Sequence, residues 1–110
     1  MTNISGELGG ITLDPSGNPY NLVGDAVVSS GLTSVMVDGV IVKATGYYRI
    51  TVKGKVQWSG AALISNEDVP KAGDWWGVEI QHWDDQSEIE GCTILHTTYA
   101  LIVNEQGAVI

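Results

Sequence analysis

Between Tyr47 and Trp58 the chain runs YYRITVKGKVQW, and its side chains sort with a period of two. The even positions carry Tyr48, Ile50, Val52, Gly54, Val56 and Trp58. The odd positions carry Tyr47, Arg49, Thr51, Lys53, Lys55 and Gln57. Such a division suits a strand with one face in a core and one in water. From residue 20 onward no stripe of helical spacing competes with it. Twelve extended residues span about 40 Å, long for one strand, so Gly54 is the expected point of a bend or bulge.

Other segments follow the same rule. In SVMVDGVIVKA, Asp38-Gly39 sits between two β-branched runs. The spacing predicts an antiparallel hairpin closed by a type I′ turn, with Val37 opposite Val40, Met36 opposite Ile41 and Val35 opposite Val42. WWGVEIQHW (Trp75 to Trp83) and CTILHTTYALIV (Cys92 to Val103) complete the strand set, and no internal repeat is evident. Short strands separated by turn signals imply an all-β fold, an antiparallel β-sandwich or barrel. The length suits a single domain, assigned to residues 20–110. Residues 1–19, rich in Gly, Ser, Asn and Pro, are expected to form an arm or a loosely tied first strand, ordered against a partner.

Several strands are apolar on both faces. In the last, Leu95, Tyr99, Leu101 and Val103 share one side and Ile94, Ala100 and Ile102 the other. A monomer struggles to cover both, which implies shared surface between copies.

Three of the four tryptophans lie within GDWWGVEIQHWDD, and the chain has no phenylalanine. By alternation Trp76 joins Val78 and Ile80, and Trp58 joins the apolar face of its own strand, so both are assigned to the core. Trp75 and Trp83 then point outward. In a strand straight through Gly77 they stand roughly 26 Å apart, too far to grip one small ligand together. Separate anchors for a protein partner are favoured over a sugar platform. Arg49, Lys53 and Lys55 form a basic strand face expected to pair with acidic groups across strands or on a partner.

The net charge of −8 opposes binding to nucleic acid and to anionic membranes. No apolar run has the length of a membrane span, and MTNISGELGG has neither the basic start nor the apolar stretch of a signal peptide. Cys92, the single cysteine, is expected as a small packed apolar residue. The carboxylates at 84, 85, 88 and 90 lack the spacing of an EF-hand loop. Only His82, His96 and Cys92 offer zinc ligands, with no supporting spacing. No metal, cofactor or catalytic group is assigned, because no nucleophile elbow or phosphate loop is present.

VKATGYYRITVKGKVQW resembles the strand that opens the second half of trimeric jelly rolls of the tumour-necrosis-factor and complement-globular-head type, with Gly46 turning the chain ahead of Tyr47 and Tyr48. VPKAGDWWGVEI is similar to a later strand of those domains, with Gly73 and Asp74 in matching places. The resemblance covers about half the chain, and such folds recur in bacteriophage virion proteins. It implies a jelly roll, a homotrimer and an apolar axis, with Met36, Ile41, Ile94, Ala100 and Ile102 as candidates to line it. The function it implies is structural: a capsid decoration or cement protein, assembled in a host cytoplasm and bound to a major capsid protein on the virion exterior. The alternative is a fibre head that binds a host-surface glycan. Trp75, Trp83, Arg49, Lys53 and Lys55 are the expected partner contacts.

Overall fold

The structure is a computed structural model that describes residues 2–67, 71, 73–82 and 86–103, with backbone alone for 99–103. The described chain is all β apart from one 3-10 turn, Pro15–Gly17. Its twelve strands are β1 (Thr2–Glu7), β2 (Thr12–Leu13), β3 (Tyr20–Val28), β4 (Thr33–Met36), β5 (Ile41–Ala44), β6 (Arg49–Val52), β7 (Lys55–Ser59), β8 (Ala62–Ser65), β9 (Trp75–Ile80), β10 (Glu88–Glu90), β11 (Thr93–Ile94) and β12 (Thr97–Val103).

Every pair among them is parallel. The expected antiparallel sandwich, and with it the jelly roll, is therefore corrected: the chain winds as a β-solenoid. Tyr20 pairs with Val42, Thr33 with Lys55 and Ile41 with Ala62, so one turn takes about 22 residues. The step lengthens around β9, where Gln57 pairs with Glu88.

Three walls result. The first stacks the start of β1, the start of β3, then β5, β8 and β11. The second stacks the ends of β1 and β3, then β6, β9 and β12. The third stacks β2, β4, β7 and β10. Residues 2–13, expected within an arm, form the first turn and pair with the chain's own β3 and β4.

The local reason for the change of fold sits at Asp38-Gly39. A type I′ hairpin needs positive φ at both central residues. Gly39 has φ +91, but Asp38 is not among the positive-φ residues. Val40 N–H donates to Val37 C=O at 3.3 Å, so the turn follows the type II pattern. It sends the chain around a corner rather than back along β4. Gly60 (φ +60) and Gly91 (φ +63) occupy the same corner in the next two turns, and Gly39 N–H donates to Gly60 C=O. A side chain at Gly60 would also strike Asp38.

YYRITVKGKVQW is likewise two strands, β6 and β7, on two walls. At Gly54 an added Cβ would lie 2.3 Å from Ser29 C=O. Lys53 and Gly54 N–H both donate to Val28 C=O, fastening that corner. The alternation survives the bend: Ile50, Val52, Val56 and Trp58 are all buried.

Inward side chains stack turn upon turn. Tyr20, Val42, Leu63 and Ile94 form one column, and Leu13, Met36, Trp58 and Ile89 another. Val28, Val52 and Ile80 form a third. Each buried aliphatic contributes about 1.5–3 kcal/mol relative to exposure. Trp58 Nε1 donates to Ser34 Oγ at 3.1 Å, and Trp75 Nε1 to Leu95 C=O at 2.8 Å, so neither indole pays for an unmet donor.

Candidate functional site

The buried polar residues described are Ser34, Thr51, Ser65 and Ser87. Apart from Tyr20 and the Asp74 side chain, each 6% exposed, the described ionisable groups are half-buried or exposed, so function is sought on the walls and corners. Two outer surfaces stand out.

On the first wall, register builds one outward row from Asn3, Asn21, Lys43 and Ile64, with Leu95 following beside Ile64. A second row runs Ile41, Ala62, Thr93. Ile41, Ala62 and Ile64 are half-buried, and Leu95 is 48% exposed. Neither row contains a carboxylate, in a chain with 13 acidic residues. Lys43 is the single charge there.

On the second wall, Asp25, Arg49 and Gly77 fall in one outward row, and Val27, Thr51 and Glu79 in the next. Gly77 has φ +115 and offers no side chain. Arg49 is its register partner on β6. Its guanidinium lies 5.1 Å from the centroid of the Trp76 ring and 3.6 Å from Glu79 Oε1. Its backbone N–H donates to Asp25 Oδ1 at 3.0 Å. Tyr47, 56% exposed, donates its O–H to Thr98 Oγ1 at 2.8 Å. Arg49 thus realises the expected pairing of a basic strand with acidic neighbours, within one chain.

Gly77 also reverses the tryptophans. Trp75 and Val78 are both buried, which simple alternation forbids; the phase breaks at Gly77, whose φ is +115, where the ladder to β12 also shifts register. Trp75 is 1% exposed, and Trp76 is half-buried with Arg49 over its ring. The expectation of an outward Trp75 and a core Trp76 is corrected accordingly. Met36, placed at an axis by the sequence, is 1% exposed inside the solenoid and cannot touch a partner. Ile94 is half-buried and packs on the core, while Ile41 faces outward. Ala100 and Ile102 lie in the part of β12 described by backbone alone, and Trp83 lies outside the described residues. Lys53 is exposed, and Lys55 donates to Gln86 Oε1 at 3.1 Å.

Several other polar side chains bond backbone at corners and loops. Glu7 bridges Ser29 and Gly9 N–H; the Ser29 hydroxyl, then its amide, then Gly9 hold the carboxyl below the ordinary glutamate range. Asp14 is lowered by the Ser16 hydroxyl and amide. Asp74 is lowered first by Lys71 N–H and then by the Ser65 hydroxyl. His96 has φ +65, and its Nδ1 accepts from Ser65 N–H at 3.2 Å. Cys92 is half-buried against the core. Among the described residues no group of three or more His, Cys, Asp or Glu could hold a metal ion; Asp84 and Asp85 are outside them.

No family model, curated protein or solved structure matches the chain.

Proposed function

We propose that this chain is a structural component of a large multi-copy assembly, of the kind that coats a virion capsid, and that it acts by contact rather than by chemistry. The observation that carries the reading is the carboxylate-free aliphatic face of the first wall, built from Ile41, Ala62, Ile64 and Leu95. Copies with a net charge of −8 repel one another almost anywhere else. Here they can meet with apolar groups and no carboxylate between them.

Size sets the strength of the contact. Three turns at ~4.8 Å and four residues at ~3.3 Å give a flat face of roughly 190 Å². That is well below the ~800 Å² per partner of a stable interface. An isolated pair therefore associates weakly, and the contact gains force when many copies sit side by side on a common surface. The trimer implied by a jelly roll is not carried forward, since the fold that implied it is absent.

Light scattering from about 10 µM to 1 mM tests the self-contact. The mean mass should rise with concentration for the natural chain and stay at that of the monomer for Ile64→Lys. Equal monomeric mass for both across that range removes the reading. Co-sedimentation with capsids made from the major capsid protein of the same genome tests the virion setting: bound copies support it, and protein left in the supernatant refutes it.

A further inference from the structure

We infer that the second wall carries a binding site for an uncharged saccharide, centred on Tyr47 and the Arg49–Trp76 pair. The inference is independent of self-association, which uses a different wall.

Tyr47 presents an aromatic ring that is both exposed and fixed. The residue is 56% exposed, yet its hydroxyl is tied to Thr98 at 2.8 Å across the turns. An exposed aromatic held in one orientation loses little freedom when something stacks on it. Arg49 stands two residues along the chain, over Trp76. Around them are groups that donate and accept toward hydroxyls: the Arg49 guanidinium, 43% exposed, and the carboxylates of Glu79 and Asp25. A pyranose offers the matching pattern, with an apolar C–H face for the ring and a hydroxyl edge for the polar groups.

Charge decides the class of sugar. The cluster holds one cation against two carboxylates, on a chain of net charge −8. Phosphate, sulfate or uronate groups would meet a net negative surface. Size decides between a small ligand and a protein. Three turns by three residues cover roughly 140 Å², about one sixth of the ~800 Å² a protein partner requires. One or two sugar rings fill that footprint.

The test is titration of the full chain with cellohexaose, mannohexaose, chitohexaose and galactohexaose, with polygalacturonate as the charged control. It is read by tryptophan fluorescence and by the indole resonance of Trp76. At least one neutral oligomer should bind and shift Trp76, and polygalacturonate should not. Tyr47→Ala should weaken binding about tenfold at an unchanged melting temperature. Tyr47→Phe, which keeps the ring, should stay within a few-fold, and Ile64→Lys should bind like the natural chain. Absence of binding by every neutral oligomer, tighter binding of polygalacturonate, or binding indifferent to Tyr47→Ala would each overturn the site.

Discussion

Trp58 offers the sharpest probe of the interior. It is fully buried in the Leu13–Met36–Trp58–Ile89 column, and its indole N–H donates to Ser34 Oγ at 3.1 Å. Ser34 is itself buried, with little else to bond its hydroxyl. Trp58→Phe removes three ring atoms, worth about 2 kcal/mol at ~0.8 kcal/mol per buried carbon, and leaves Ser34 without its donor, about 1 kcal/mol more. The expected loss is about 3 kcal/mol, a large part of the ~5–15 kcal/mol that holds a domain together. Ser34→Ala alone strands the indole N–H and costs about 1–3 kcal/mol. The double variant has neither orphan, so its loss should fall short of the two single losses added together by about 1 kcal/mol. Urea denaturation of all four proteins, followed by far-UV circular dichroism, measures the cycle. Additive losses within ~0.3 kcal/mol, or a cost below 0.5 kcal/mol for Trp58→Phe (a figure of the order of surface substitutions), would refute this placement of the indole.

Other expectations follow from the corners and the bulge. Gly77→Ala forces a side chain to φ +115, next to Trp76 in β9; a cost of about 1–3 kcal/mol and an altered Trp76 emission are expected, checked by melting and fluorescence. His96→Ala should destabilise more than His96→Asn, because Asn tolerates positive φ and still offers an acceptor to Ser65 N–H; chemical denaturation at pH 7 separates them. Glu7, Asp14 and Asp74 all have depressed carboxyl pKa values, so their contribution is complete above the unfolded values and is lost as pH falls through the folded ones. Stability should therefore decline below about pH 4, and Glu7→Gln should flatten part of that decline in a pH series of melts.

Much of the fold was legible in the alternation, and its global pairing was not. The even positions of YYRITVKGKVQW are buried as the period of two requires, and Gly54 is where the strand breaks. A period of two, however, is common to parallel and antiparallel sheet; the distinction lay in the sign of one φ at Asp38, which Asp-Gly alone does not fix. The turn repeat was obscured because its inward positions interchange Tyr20, Val42, Leu63 and Ile94, and because longer connections around β9 break the spacing. A signal was present in the glycines: Gly10, Gly31 and Gly54 mark one corner, and Gly39, Gly60 and Gly91 another. At the candidate sites, Arg49 and Ile41 were singled out from residue type and parity. Trp76 was missed because one glycine shifted the phase, and Tyr47 because a tyrosine on a polar face gives no sign of what its hydroxyl will reach.

Interstrand nuclear Overhauser contacts in solution test the parallel winding most directly. In the solenoid the backbone of Val42 lies between those of Tyr20 and Leu63, so its amide and α protons should show contacts to both. A hairpin at Asp38-Gly39 would instead bring Met36 against Ile41 and Val35 against Val42. Contacts from Val42 to residues 20 and 63, with none between Met36 and Ile41 across a ladder, are the expected result; the hairpin pattern would contradict it and remove both walls together.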